Sequence, residues 1–336
     1  MTKQYVSRRS ELRGALPIVR KHHYVWAYYL SGWSDKNDKS IWHETSKGNI
    51  SKDSVKGLSR EDDYNKIHAL SDRDVAYIEL WPSGDSPTLQ NFQKSQLDFF
   101  KKASSIIDSH VGLEHLKEYA EIKNIAESIK YGLFEKTHTI IENLARPVID
   151  ELKAGNVECL KQGKYMTSFC NFLAQQLLRT KKAKKKCLEG MYLLPENTLG
   201  VAAFKELYER NWWFLSYKLA LNLGYSLHAS STTDHHTFIT NKTSIDFITS
   251  DCPVINIHES SHGNTVGKPP EKLDLYFPIS PKTAYIISSD SRYNKLASSI
   301  DEKEVKNLNT RIMQNSHLSI YGTSRDSIKD ARQNYR

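Results

Sequence analysis

The stretch His258-Glu259-Ser260-Ser261-His262 spells H-E-x-x-H. In a zinc protease those histidines sit one helical turn apart on the metal, and the glutamate is the general base. Here the stretch leaves a predicted strand and runs into Gly263, Asn264, Gly267 and Pro269, which oppose a helix. No third ligand stands at a metzincin distance, so we read a polar loop and expect no metal. Gly263 to Lys268 resembles a phosphate loop. Its glycines are one residue too close, and Pro269 stands where a Ser or Thr would hold magnesium. His235-His236 is a histidine pair in a polar stretch, a setting more often solvated than ligating. Asn241-Lys242-Thr243 is a glycosylation sequon only in a secreted chain.

A second kind of chemistry is electrostatic. The net charge is +8, unevenly placed. Lys3, Arg8, Arg9, Arg13, Arg20 and Lys21 stand against one acid, Glu11. Arg179, Lys181, Lys182, Lys184, Lys185 and Lys186 form a second cluster. Such runs attract polyanions by steering and counterion release, and otherwise serve as solvated helix ends. The expected partner is nucleic acid, RNA or DNA.

The elements that must carry these residues follow from periodicity. Residues 22 to 30, HHYVWAYYL, form a strand or a short buried helix. IWHET and NISKDSV flank Ser46-Lys47-Gly48 as a hairpin. A short apolar stretch covers Val75 to Trp81, and Pro82 to Pro87 breaks the chain. From 89 to about 155 apolar residues recur at spacings of three and four, with Pro147 starting, kinking or ending a helix. One long helix is predicted from Lys164 to about Leu188 and another over about 201 to 223. After 230 the pattern turns β in HTFIT, SIDFITS and PVINIH. A loop runs from Glu259 to Pro270. LDLYFPIS and TAYIISS are joined by Ser280-Pro281-Lys282. Asp301 caps a helix with Glu304 in capping-box position, and HLSIYG closes the fold. The expectation is one α+β domain over 1–336, with a central helical layer, a largely C-terminal antiparallel or mixed sheet and an N-terminal hairpin. Its sub-regions are 20–88, 89–225 and 230–323.

Cys159, Cys170, Cys187 and Cys252 show no C-x-x-C spacing and read as reduced, packed thiols. The N-terminus has no apolar signal region, and no apolar run reaches the roughly 18 residues of a membrane span. The expected compartment is the cytoplasm, with no membrane partner. Nothing in the residues implies a cofactor.

Three segments together resemble a bacterial family. They are His22-His23-Tyr24-Val25 with Tyr29-Leu30 and Ile41-Trp42; the helix ending Gln176-Leu177-Leu178-Arg179-Thr180; and Phe247-Ile248-Thr249-Ser250-Asp251-Cys252-Pro253-Val254, followed by Phe277 to Pro281 and Leu308-Asn309. In this order they are similar to the domain-of-unknown-function family four-two-three-eight, over about 20 to 323. Trp26, Lys181 and Cys252 depart from its usual Pro, Pro and Asn. The resemblance implies a part in antiphage defence and names no reaction.

The matched polar residues are His22, His23, Gln176, Arg179, Thr249, Ser250, Asp251 and Asn309. Two readings stay open. In one, His22 or His23 is the acid–base, Arg179 clamps a phosphate and Asp251 orients, which suffices for metal-independent phosphodiester cleavage of RNA rather than DNA. Gln176, Thr249, Ser250, Asn309 and the lysines 181, 182, 184, 185 and 186 would bind substrate. In the other, Arg179 and Asp251 form a buried ion pair that fixes the fold. The protein is then a non-enzymatic module that recognises a phage product, such as a phage protein trigger.

Overall fold

A computed structural model describes residues 17–45, 47–191, 200–259, 270 and 272–335. The N-terminal basic residues up to Arg13, Ser46, Ser260 to His262 and Gly263 to Pro269 lie outside the described residues. Arg20 and Lys21 lie within them.

In chain order the elements begin with β1 (Lys21–His23), α1 (Ala27–Leu30), β2 (Ser40–Glu44), β3 (Ile50–Ser54) and β4 (Arg60–Asp62). Helices α2 (Asp72–Glu79), α3 (Pro87–Ser104), α4 (Tyr119–Lys153), α5 (Gly163–Leu178), α6 (Lys181–Met191) and α7 (Val201–Ala229) follow. The last third holds β5 (His235–Thr240), β6 (Thr249–Ser250), β7 (Ile255–Asn256), β8 (Leu275–Ser280) and β9 (Thr283–Ser288). It ends on α8 (Lys295–Ser298), α9 (Glu302–Asn315), β10 (Ile320–Gly322) and α10 (Arg325–Tyr335). The fold is α+β.

The chain divides into two compact units, Met1–His22 with Asp62–Ile140, and His23–Glu61 with Ile141–Arg336. The division falls inside α4, which runs through Pro147 without ending. In the first unit α2 begins at a full capping box, where Ser71 and Asp74 satisfy each other's backbone amides. Ile67, Ile78, Leu97, Phe100 and Phe134 are among its buried residues.

The second unit holds two four-stranded sheets, ordered β3-β2-β10-β6 and β5-β9-β8-β7. The predicted hairpin is β2–β3, with Gly48 at φ 78° in its turn. It does not stand apart from the C-terminal strands: β10 pairs antiparallel with β2 on one side and β6 on the other. Ile248, Ile255, Ile286, Leu308, Ile312 and Ile320 share one core with Ile328 of α10. Gly322 lets β10 approach α10 closely, because a Cβ there would lie 2.5 Å from Ser327 Oγ.

Two boundaries differ from the reading of the sequence. The helix predicted over 164–188 is two helices, α5 and α6. Arg179 leaves helical geometry (φ −80°, ψ 1°), and the Thr180 hydroxyl accepts the Ala183 amide, as a helix N-cap does. The strand HLSIYG does not close the chain. Helix α10 follows it, with Ile328 and Ala331 buried at a helical spacing of three.

Candidate functional site

Arg179 is almost fully buried at the end of α5. Its Nη2 donates to Glu142 Oε1 at 2.7 Å and its Nε to the Tyr24 carbonyl at 3.0 Å. With the Gln176 amide oxygen facing the guanidinium, that oxygen accepts from Nε at 3.1 Å and Nη2 at 2.5 Å. The carboxylate partner of Arg179 is thus Glu142 of α4. The ion pair with Asp251 that the sequence suggested is replaced by a different one. Glu142 follows the apolar Ile141 within a long helix, and its spacing carries no signal of the pairing.

Asp251 holds something else. Its two carboxylate oxygens accept the backbone amides of His317 at 2.9 Å and Leu318 at 2.7 Å, and its own amide donates to the Ser319 carbonyl at 3.0 Å. The residue pins the α9–β10 connection to the end of β6. Burial pushes the Asp251 carboxyl up from its ordinary pKa, against the pull of those amides.

The neighbours in the Thr-Ser-Asp-Cys turn are committed in the same way. The Tyr29 hydroxyl donates to the Pro278 carbonyl at 2.7 Å, so Thr249 Oγ1, also at 2.7 Å, donates to Tyr29. Ser250 Oγ accepts from the Cys252 amide and donates to the Cys252 carbonyl. Asn309 bridges a broken strand edge, accepting from the Ile248 amide and donating to the Asp246 carbonyl. The Cys252 thiol is buried and pushed well above its ordinary range by that burial, which leaves it protonated and inert.

The two histidines part company. His22 belongs to the first unit and His23 to the second. His22 Nε2 lies 2.6 Å from the Val19 carbonyl and 3.0 Å from that of Tyr131, while Nδ1 accepts the Asn65 amide at 2.8 Å. With Nδ1 accepting, Nε2 is the donor that faces the two carbonyls. His23 is half-buried, with Nε2 3.3 Å from the Lys56 carbonyl.

The lysine run divides by direction. Lys181 pairs with Glu61 and lies 5.2 Å from the centre of the Tyr24 ring. Lys182 Nζ donates to the Asn315 carbonyl at 2.8 Å, closing the C-terminus of α9. Burial lowers the pKa of both Lys182 and Lys184. Lys185 and Lys186 are exposed, Lys185 within 3.8 Å of Glu189.

Two further polar groups invite comparison with known chemistry. His43, Ser51 and Asp53 carry the letters of a hydrolase triad, but Ser51 Oγ and Asp53 Oδ2 both approach Nε2, at 2.8 and 2.7 Å. A relay requires the nucleophile and the orienting carboxylate on opposite ring nitrogens of the histidine. His236 Nδ1 lies 3.1 Å from the Tyr285 hydroxyl. Burial lowers the His236 pKa, and both histidines of the pair are half-buried. Among the described residues no group of three or more His, Cys, Asp or Glu side chains forms a metal cluster. No described helix is long and apolar enough to cross a membrane.

The model of a family described as "Protein of unknown function (DUF4238)" matches residues 21–326. No curated protein and no solved structure matches the chain.

Proposed function

The chain belongs to the DUF4238 family, and from that premise we propose that it is an antiphage-defence protein of the bacterial cytoplasm that binds nucleic acid, RNA ahead of DNA, and senses it without cutting it. One observation carries the choice of recognition over cleavage. The polar groups that could act on a phosphodiester already hold the fold together: Asp251 through two backbone amides, Arg179 through Glu142, and His22 through three backbone groups. Freeing any of them for a substrate would leave a buried partner without its bond, at about 1–3 kcal/mol each. The polyanion partner rests on the basic surface, of which the exposed Lys185 and Lys186 on α6 form part.

The hydrolytic reading keeps one point in its favour: the His23 ring is part exposed. Incubating the full chain with total RNA and with duplex DNA, with and without chelator, separates the two. The expected result is retention that weakens with salt and nucleic acid of unchanged length. Shortening of the RNA that disappears in His23→Ala would replace recognition by catalysis.

A further inference from the structure

Helix α4 ends in a group that none of the motif residues explains. Arg146, Asp150 and Lys153 lie on one face of its last turns, at spacings of four and three. The Tyr28 ring is set among them. The Arg146 guanidinium carbon is 4.3 Å from its centroid and Lys153 Nζ is 4.7 Å from it. The Tyr28 hydroxyl donates to Asp150 Oδ1, and Arg146 Nε lies 3.9 Å from Asp150 Oδ2. Trp26 packs its ring 4.9 Å from that of Tyr28 and edge-on to Phe172 at 5.6 Å.

Lys153 is the unfinished part. Among the described residues its ammonium has neither a hydrogen-bond acceptor nor an ion-pair partner within bonding reach. It lies against Gly32, where a Cβ would be 3.7 Å from Nζ. Burial lowers its pKa; the Asp150 charge opposes that shift in part, and Arg146 adds to it to a lesser extent. Asp150 is already engaged by Tyr28 and Arg146. The group thus carries two cations, one shared carboxylate and two part-exposed aromatic rings. A lone half-buried ammonium without an acceptor is costly unless an anion completes it.

Stacking surfaces beside cations are the physical requirements for a single-stranded nucleic acid, whose bases offer π faces and whose backbone offers phosphates. The same short segment reaches the basic helix: Tyr24 accepts Arg179 through its carbonyl and lies under Lys181. We propose that Lys153 and Arg146 bind a backbone phosphate of a single-stranded nucleic acid, with Trp26 and Tyr28 as the stacking surface for an adjacent base. The proposal rests on the nucleic-acid reading above and assigns that reading a site.

Fluorescence anisotropy of a labelled single-stranded RNA 12-mer tests it, with the full chain, Arg146→Gln/Lys153→Gln, Trp26→Leu, and Lys185→Gln/Lys186→Gln as a second basic variant. Loss of the stacking surface in Trp26→Leu should weaken binding by about 5-fold or more. Removing both α4 cations should flatten the log–log salt slope by roughly 1.5 units. Pulsed acetylation with mass-spectrometric mapping reads the site directly, since bound RNA should slow the labelling of Lys153 relative to the free chain. Wild-type binding that persists at full strength and slope in the α4 and Trp26 variants, with Lys153 unprotected, overturns this site and leaves the nucleic-acid reading standing. Failure of the wild-type chain to bind RNA at low salt overturns both.

Discussion

Replacing Glu142 with Gln should destabilise the second unit more than any exposed substitution. The Arg179 side chain is 2% exposed and that of Glu142 is 14% exposed. Removing the carboxylate charge leaves a buried guanidinium beside two neutral acceptors, the Tyr24 carbonyl and the Gln176 amide. Breaking one side of such a pair costs on the order of 3 to 5 kcal/mol. Arg179→Gln strands the carboxylate instead and should cost a similar amount, lessened where water reaches the part-exposed Glu142. In the double variant neither charge is stranded, so at least half of the summed loss should return. The coupling is read from urea midpoints followed by near-UV circular dichroism, with all four proteins at one salt concentration. A parallel cycle pairs Arg179→Gln with Asp251→Asn, where no direct bond exists to restore. If that second cycle shows the larger recovery, the assignment of Glu142 as the ionic partner is wrong.

Asp251→Asn should lower stability by about 2 kcal/mol or more, because an amide group can replace only one of the two acceptors that His317 and Leu318 use. A well-folded Asp251→Asn chain that nevertheless loses phage protection in a plaque assay would restore the residue to a functional role. Tyr29→Phe should cost about 1–2 kcal/mol by releasing the Pro278 carbonyl and Thr249, and thermal unfolding checks it. His236 gives a pH signature. Burial depresses its pKa in the fold, so its contribution is complete above about 6.5 and is lost as pH falls through the lower folded value. Between pH 7.5 and 5 the wild type should therefore lose more stability than His236→Gln, and equal losses would contradict the sign. Lys185→Gln/Lys186→Gln should flatten the salt slope by roughly 1.5 units; a further loss of about 1.5 units on adding Lys181→Gln and Lys182→Gln would mean that those two lysines leave their internal partners to meet phosphates.

The hairpin at β2–β3, the strands β5, β8 and β9 and the cap at Asp301 were legible because each rests on local chemistry. Gly48 takes a positive φ, β-branched and aromatic residues alternate, and an aspartate oxygen accepts the Glu304 amide. The break at Arg179-Thr180 was hidden because every residue from Tyr165 to Leu178 is a plausible helix former. What stops the helix is tertiary: the guanidinium reaches Glu142, 37 positions earlier, and Tyr24, 155 positions earlier. The pairing of β2 with β10 was hidden for the same reason, since strand partners nearly 280 positions apart leave no mark in a local window.

The candidate site was legible as a set of residues and illegible as a set of roles. Sequence order brings Gln176, Arg179, Thr249, Ser250, Asp251 and Asn309 to notice because polar groups in apolar surroundings demand partners. It does not say whether the partner is a substrate or the chain itself. Here the partners are backbone amides and carbonyls at chain breaks: the end of β6, the α9–β10 connection, the edge beside Asp246 and the N-terminal segment at Tyr24. Those are the places where main-chain hydrogen bonding fails and a side chain must substitute for a strand neighbour. Residues free to meet a ligand must then be sought where internal bonding is incomplete. Beside the Tyr28 ring, Lys153 is such a group: a half-buried ammonium without an acceptor among the described residues.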